Sequence, residues 1–266
     1  MKNMRSLHTL FAGLLFFVAV FVATAAAYAQ IPPLKTQIAT VIDGDTVITR
    51  EGVHVRLLGI NTPEKSRDAN PSEEGATAAT QFTKQLLEGQ HATIQFDETQ
   101  KDRYGRHLGH IYLADGTWVN RRIVEEGYGH VYSFPDNRSF LGELLAAETK
   151  ARHAKKGIWQ QRRWAVLPAV PPPSRFTMGQ FRLVKGTPLK AAKVNGVIYL
   201  NYGENWREDF TIEIPPQAQL LFNQAGINPE TAFVNQPILV RGRLKPVNGV
   251  LVTVTHPEQI QPAAAE

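Results

Sequence analysis

Short apolar runs of strand length, separated by turn residues, constrain the fold of this chain more than any other feature. In the first half, the segments 37–42, 47–50 and 53–60 have the composition of β-strands. Asp43 and Gly44 stand between the first two segments, and an Asp-Gly pair in such a place is a strong hairpin signal. The pattern therefore predicts a fold built on short strands joined by tight turns.

Helical segments accompany these strands. The first is expected to begin at Asn70 as N-cap, with Glu73 at the third helical position, and two more fit 119–126 and 139–156. Together with two further strands, this predicts an α+β, mainly β fold, in which a small five-stranded barrel of the oligonucleotide-binding (OB) type carries three helices.

A proline-rich segment divides the chain. The four prolines within 161–175 favour an extended, semi-rigid linker. This predicts a first domain at 36–160 and a second, β-rich accessory domain at 176–266, whose strands and Asn-Gly turns suit another OB-like barrel. The C-terminal part, 161–266, carries 11 basic and 7 acidic side chains, so the positive excess lies there.

Residues 1–29 have the pattern of a signal peptide. Lys2 and Arg5 precede the uncharged apolar run 10–25, and the small residues at 27–29 fit a cleavage site. We expect cleavage before Gln30, a periplasmic or secreted product, and no stable membrane association afterwards. The alternative is an uncleaved anchor, because the apolar run is nearly long enough to span a bilayer. The chain has no cysteine, so an exported form must fold without disulfides.

Three short runs carry the chemistry, namely 43–46 (Asp-Gly-Asp-Thr), 56–64 (from Arg56 to Glu64) and 102–106 (Asp-Arg-Tyr-Gly-Arg). They supply hard oxygen ligands, a spare carboxylate and two guanidinium groups, which are the parts needed to cut a phosphodiester with a metal ion. Taken singly, each has an ordinary alternative: a tight turn at 43–46, a surface or core ion pair for Arg56, a solvated loop carboxylate for Glu64 and a surface charge for Arg106.

Taken together and in order, these runs resemble the thermonuclease family, whose type member is staphylococcal nuclease. The motifs read V-I-D-G-D-T at 41–46, R-L-L-G-I-N-T-P-E at 56–64 and D-R-Y-G-R at 102–106. The resemblance covers about residues 36–160. It implies calcium-dependent hydrolysis of DNA and RNA on an OB-type barrel. We expect single strands to be the preferred substrates.

The resemblance also implies a role for each matching position. Asp45, Asn61 and the backbone carbonyl of Thr62 would hold Ca²⁺, with Asp43 behind them. Glu64 matches the general base or the group that orients the attacking water, and Arg56 and Arg106 match the pair that grips the scissile phosphate. Arg103, Tyr104 and Tyr132 are candidates for holding a flanking phosphate or stacking a base.

One position departs from the family pattern. The family usually has aspartate where this chain has Asn61. An amide oxygen can still bind calcium, but the site loses a full negative charge, which predicts weaker metal affinity or an altered choice of metal. We expect an active enzyme with a raised calcium requirement. The alternative is a catalytically weak or inactive module that binds nucleic acid or protein on the same fold.

Residues of the second domain leave two interpretations open. Arg241, Arg243 and Lys245, with Tyr202 and Trp206, either extend a nucleic-acid track or form a solvated strand face and core aromatics. The sequence indicates no particular oligomeric state.

Overall fold

A closed five-stranded barrel forms the first part of the computed structural model, which describes residues 32–66 and 71–263. In chain order this part contains β1 (Leu34–Asp43), β2 (Thr46–Thr49), β3 (His54–Leu57), β4 (Ile60–Asn61), α1 (Ala76–Leu87), β5 (His91–Lys101), β6 (His107–Leu113), α2 (Val119–Glu125), β7 (His130–Val131) and α3 (Leu141–His153). The barrel order is β1-β2-β3-β6-β5, and β4 pairs with β7 outside it. The predicted α+β fold with a five-stranded barrel is confirmed.

The barrel closes where β3 and β6 run parallel, while its other strand pairs are antiparallel. Inward-facing side chains such as Val47, Val55 and Ile94 are fully buried. They continue into a core that includes Ile123 of α2 and Leu144 of α3. The helices cover one side of the barrel, and the loops at its mouth are the part that can form a site.

The first helix begins later than its sequence predicts. α1 starts at Ala76, after Gly75 in a left-handed conformation with φ of 96°. The expected N-cap, Asn70, lies outside the described residues, as does the predicted signal peptide at 1–29. Glu73 is not in the helix: its backbone N–H and carboxylate both bind the backbone of Glu64.

The second part consists of two four-stranded sheets. It contains β8 (Leu167–Pro168), β9 (Phe181–Gly186), β10 (Lys190–Val194), β11 (Val197–Asn201), β12 (Phe210–Ile214), α4 (Pro216–Gln224), α5 (Pro229–Ala232), β13 (Ile238–Arg243), β14 (Val250–Thr253) and β15 (Ile260–Pro262). The sheets have the orders β10-β11-β12-β14 and β15-β13-β9-β8. The part is β-rich as predicted, but it does not form the closed OB-like barrel that its turns suggest.

The segment predicted as a linker takes part in this structure. Leu167 and Pro168 pair in parallel with β9, and Ala169 is buried. Trp164 belongs to a buried cluster with Ile158, Leu183 and Leu239 that joins the two parts. The segment therefore differs from a spacer, because its apolar side chains between the prolines find a surface to bury. The division of the chain into domains stays a prediction, and from Pro32 onward the chain forms one compact unit.

A buried ion pair also joins the two parts. Arg241 of β13 donates to both carboxylate oxygens of Glu148 in α3, at 3.0 and 2.8 Å. Burial by itself raises the pKa of Glu148, but Arg241 and the backbone N–H of Val131 outweigh it and keep that pKa below its ordinary value. The same carboxylate accepts the Val131 N–H at 2.7 Å and so fixes β7. Within 32–66 and 71–263, no helix is long and apolar enough to cross a membrane.

Candidate active site

A cleft of about 1130 Å³ lies at the mouth of the barrel. Nine of the ten side chains predicted from the sequence line it, namely Asp43, Asp45, Arg56, Asn61, Glu64, Arg103, Tyr104, Arg106 and Tyr132. The tenth, Thr62, is buried behind Asp45. The three motifs and the segment that follows β7 thus present their polar groups to one space.

The β1–β2 turn is shaped by Gly44. A Cβ at this position would lie 2.5 Å from the hydroxyl oxygen of Thr62, so no larger residue fits there without movement. The Gly44 carbonyl accepts a hydrogen bond from Thr83 of α1 at 2.7 Å, and Asp43 accepts the Asp45 N–H at 3.2 Å. These contacts fix the direction in which Asp45 leaves the turn.

Asp45 is the most constrained carboxylate of the cleft. It is 3% exposed, and its Oδ2 accepts the Thr62 N–H at 2.7 Å and the Thr62 hydroxyl at 3.1 Å. Arg56 Nη2 lies 3.1 Å from the same oxygen. Burial raises the pKa of Asp45 to about 6, assisted by Asp43 and Glu64 and opposed by Arg56 and Thr62. Burial of the carboxylate therefore raises its pKa by more than Arg56 and Thr62 lower it.

Both ends of the Asn61 amide are committed to neighbours. Its Oδ1 accepts from Arg56 Nη2 at 2.8 Å, and its Nδ2 donates to the Thr62 carbonyl at 3.0 Å. Arg56 also donates through Nη1 to the Leu57 carbonyl at 2.9 Å. The network fixes the orientation of the amide, because a flipped amide would point N–H groups at Arg56 and an oxygen at a carbonyl.

Glu64 is held by Glu73, a residue that the sequence did not predict as part of the site. Glu64 N–H donates to the Glu73 carboxylate at 3.0 Å, and Glu73 N–H donates to the Glu64 carbonyl at 2.8 Å. Arg163 forms an ion pair with the other oxygen of Glu73 at 3.0 Å. The only sequence signal for Glu73 was its place in a predicted helix cap, which pointed to a different partner.

Arg106 is oriented by its own loop. Asp102 accepts from Arg106 Nε at 2.8 Å and from the Arg106 N–H at 3.0 Å. Burial acts to raise the pKa of Asp102, but the hydrogen bonds from Arg106 and the Tyr104 N–H outweigh it, so the pKa is lowered. The carboxylate stays charged and holds the guanidinium group at the cleft wall. Next to it, Arg103 stacks over the exposed ring of Tyr104 at 4.8 Å.

Aromatic rings from both parts of the chain continue the wall. Tyr132 lies edge-on to Phe134 at 5.2 Å and to Phe181 of β9 at 5.1 Å, measured between ring centroids. Phe181 also stacks on His130 at 4.9 Å. Phe181, Gln180 and Arg243 line the cleft although they lie beyond the motifs. The sequence named Arg243 as one candidate for a nucleic-acid track, and no pattern in it pointed to Phe181 or Gln180.

The residues proposed as a C-terminal track do not act as one surface. Arg241 and Tyr202 are buried, one in the ion pair with Glu148 and the other in the core. Lys245 is exposed and donates to Thr253, and Trp206 is exposed beside Arg207. Arg243 lines the cleft, and the other four do not.

The oxygen donors near Asp45 fit a hard divalent cation in their chemistry. Among the residues that the structure describes, no three aspartate, glutamate or histidine side chains form a ready metal-binding group. A cation here would therefore combine Asp45 with neutral oxygens, such as the Thr62 carbonyl and the Asn61 amide, and with water, as Ca²⁺ commonly does.

Comparison with known proteins agrees with the position of the cleft. Residues 54–161 match the family model described as staphylococcal nuclease homologue. The chain is 33% identical over 124 residues to the thermonuclease of Staphylococcus intermedius, covering 46% of this chain and 73% of that protein. It is 34% identical over 126 residues to an uncharacterised endonuclease of Escherichia coli, covering 46% of this chain and 75% of that protein.

A third relative, an uncharacterised protein of Bacillus anthracis, is 34% identical over 131 residues, which are 47% of this chain and 61% of that protein. The family model ends at residue 161, so the two C-terminal sheets lie beyond it. The matched region contains Arg56, Glu64 and Arg106 of the cleft. The five-stranded barrel, the residues of the cleft and the similarity to these relatives all indicate one family, and the chain belongs to the thermonuclease family.

Proposed function

We propose that this protein is an exported, calcium-dependent nuclease that hydrolyses phosphodiester bonds of DNA and RNA, with a preference for single strands. One observation carries the proposal: Asp45, Glu64 and Arg106 from three loops and Arg56 from β3 line the same cleft. Relatives named thermonuclease and endonuclease support a nuclease.

Two guanidinium groups are suited to grip the scissile phosphate. In the transition state the phosphoryl oxygens gain negative charge, and fixed bidentate cations stabilise that charge where water is partly excluded. Arg56 is held by Asp45, Asn61 and the Leu57 carbonyl. Arg106 is held by Asp102. Because both groups are oriented before substrate arrives, little reorganisation is needed when the charge develops.

Glu64 is the proposed general base. Its backbone is held by two hydrogen bonds to Glu73, which in turn is fixed by Arg163, so the position of the residue is set before substrate arrives. It would take the proton of the attacking water while the two arginines hold the phosphate. A positioned base contributes about 10² to 10⁴ in rate, so replacing Glu64 should lower turnover far more than binding.

Asp45, Asn61 and the Thr62 carbonyl are the proposed calcium ligands, with Asp43 supporting Asp45. When bound, the cation would neutralise charge on the phosphate and help to polarise the attacking water. Asn61 provides one neutral oxygen where a carboxylate would add charge. The expected consequence is activity with a raised calcium requirement.

A second function is favoured by one observation at Asn61. Its amide oxygen is already bonded to Arg56 and its nitrogen to the Thr62 carbonyl. In this network, two proposed ligands are occupied by protein partners. The chain would then be a weak or inactive module that binds nucleic acid or protein through the same cleft.

A calcium titration separates the two functions. The purified protein is incubated with single-stranded DNA or RNA across a calcium series, beside Glu64→Gln and the control Glu143→Gln, an exposed acid of α3 outside the cleft. Calcium-dependent cleavage that is lost in Glu64→Gln and kept in Glu143→Gln supports the nuclease. Tight binding without cleavage at any calcium concentration supports the binding module. Cleavage that survives Glu64→Gln unchanged contradicts the proposed mechanism.

Export is tested separately. Expression of the full chain in a bacterium, followed by fractionation and N-terminal sequencing, should give a periplasmic or secreted product that begins at Gln30. A product that stays in the membrane fraction with its first residues intact would support the uncleaved anchor.

A further inference from the structure

The C-terminal sheet contributes one edge to the cleft. Phe181 of β9 and Arg243 of β13 are directly paired across the two strands, and both line the same space as Asp45 and Arg106. Neither residue lies in the region that matches the thermonuclease family model. This edge, Phe181 with Arg243, thus adds an aromatic ring and a cation to a cleft that the barrel builds.

Arg243 differs from most of the cleft arginines because no carboxylate of the described residues pairs with its guanidinium group. Arg56, Arg106 and Arg163 each form an ion pair with a carboxylate. Arg243 is exposed, donates to the Gly179 carbonyl, and has no carboxylate within ion-pair distance among residues 32–66 and 71–263. Its positive charge is therefore available to an anion, and a guanidinium group matches a phosphate particularly well.

Phe181 extends a row of aromatic rings along the wall. It is half-buried, packed on His130 on one side and edge-on to Tyr132, which leads to the exposed ring of Phe134. Rings presented beside cations are the usual platform for unpaired bases, since every base has a face that can stack. The row and Arg243 supply the two groups that one nucleotide requires, a stacking surface and a phosphate partner.

The size of the cleft agrees with more than one nucleotide. Its volume of about 1130 Å³ is above the range of about 300–1000 Å³ that is typical for a site holding one small ligand. The phosphate that is cut would lie at Arg56 and Arg106. Space and binding groups remain at the edge formed by Phe181 and Arg243 for a neighbouring part of the nucleic-acid strand.

We infer that Phe181 and Arg243 form an additional nucleotide subsite. In it, the C-terminal sheet binds a base and a phosphate of single-stranded nucleic acid next to the phosphodiester bond that is cut. This inference rests on the proposed nuclease function. It predicts that the sheet raises affinity for longer single strands and leaves the chemical step itself unchanged.

Binding to single-stranded DNA tests the subsite. The full protein with Glu64→Gln serves as the parent, so that the strand is bound and not cut. Arg243→Ala and Phe181→Leu are introduced into it, and Arg207→Ala, another exposed arginine of the C-terminal part outside the cleft, is the matched control. Fluorescence anisotropy is recorded with labelled thymidine oligonucleotides of two lengths, a dinucleotide and a strand long enough to fill the cleft.

For the long strand, we expect each variant to weaken binding about tenfold, because a stacked base or a charge-assisted phosphate contact is lost. Arg243→Ala should also make the slope of log affinity against log salt shallower by about 0.7, the value for one phosphate on a single strand. Dinucleotide binding and the affinity of Arg207→Ala should match those of the parent. Phe181→Leu keeps apolar packing, and an unchanged thermal midpoint excludes a folding defect.

The outcomes distinguish the subsite from the function on which it rests. In protein that retains Glu64, Arg243→Ala should raise KM for long strands and leave kcat unchanged. Equal long-strand affinity in parent and variants, while the protein with Glu64 still cleaves, would overturn the subsite alone. Absence of both binding and cleavage in the unmodified protein would overturn the nuclease function and the subsite with it.

Discussion

Replacement of Arg241 by methionine tests the ion pair that joins the C-terminal sheet to the barrel. Methionine replaces the aliphatic part of the arginine side chain, is shorter than arginine, and removes the guanidinium group. In the structure that group forms two hydrogen bonds with Glu148, at 3.0 and 2.8 Å, and a further one with Gln261. The side chains of Arg241 and Glu148 are 1% and 0% exposed.

The expected loss is large because the remaining partner stays buried. A buried carboxylate without its cation typically costs about 3–5 kcal/mol of unfolding free energy, against about 0–1 kcal/mol for an exposed pair. In the unmodified protein the pKa of Glu148 lies below its ordinary value of 4.5, so the contribution of the pair is complete above that pH and is lost as pH falls through the lowered pKa.

The variant should respond to pH in the opposite sense. Without Arg241, burial is the largest influence left on Glu148, and it raises the pKa of that carboxyl above 4.5. Folded Arg241→Met then binds a proton that the unfolded chain releases, and its stability falls as pH rises above the ordinary value. The difference between the two proteins therefore widens from about pH 4 to pH 7.

Urea unfolding at pH 5 and pH 7 measures this difference, with tryptophan fluorescence and far-ultraviolet circular dichroism as independent probes. The double variant Glu148→Gln/Arg241→Met should recover part of the loss, because glutamine still accepts the Val131 N–H and carries no charge. Arg121→Met, which removes an exposed partner of Glu125 on α2, is the control. A cost under about 1 kcal/mol at pH 7, or a double variant no more stable than the single one, would refute the argument.

Three further predictions concern the site and the pH dependence of the fold. Gly44→Ala would place a Cβ 2.5 Å from the Thr62 hydroxyl, so the Asp45 turn must shift and cleavage should fall by about a hundredfold. Asn61→Asp adds a charged oxygen ligand and should lower the calcium concentration for half-maximal cleavage by about tenfold. His110 and His256 are buried, and burial lowers the pKa of each to about 4. Between pH 6.5 and pH 4 the unfolded chain therefore binds more protons than the folded protein. The free energy of unfolding should decrease over this range by up to about 3 kcal/mol for each histidine.

Each of these has a discriminating measurement. Gly142→Ala, where a Cβ meets no atom within 4 Å, should leave cleavage unchanged; equal effects at both glycines would contradict the role of the turn. A calcium titration that shows no shift in Asn61→Asp would show that residue 61 is not a ligand. Urea unfolding at several pH values should show a smaller loss in His256→Gln, and a loss of the same size would remove that histidine from the explanation.

Local features of the site were predictable from the sequence. The Asp-Gly turn at 43–44 is set by neighbouring residues, and it forms where the hairpin signal places it. The three motifs line one cleft, since each ends at the mouth of the barrel. What the sequence could not give is the hydrogen-bond network of Asn61, because its partners depend on how β3 and β4 meet in space.

Interactions between distant segments were not predictable. The i,i+4 spacing of Glu148 and Arg152 predicts a pair within α3, whereas both oxygens of Glu148 bind Arg241, 93 residues away. Glu73 looked like a helix cap and instead binds Glu64 and Arg163. Local propensity reflects only residues that are near in sequence, whereas the Glu148–Arg241 pair forms because packing buries two charges that then require a partner.

The register of β13 links the buried pair to the cleft. Arg241 and Arg243 are two residues apart on one strand, so their side chains leave the same face of the sheet. Arg241 is fixed to Glu148 of α3, and Glu148 also holds β7, which pairs with β4 at Asn61. The pair therefore sets the position of Arg243 relative to the barrel mouth. If this is correct, Arg241→Met should weaken binding of long single strands although Arg241 never touches them, and it should not add to Arg243→Ala, because both changes remove the same contact. Fully additive losses in the double variant would show that the two arginines act independently.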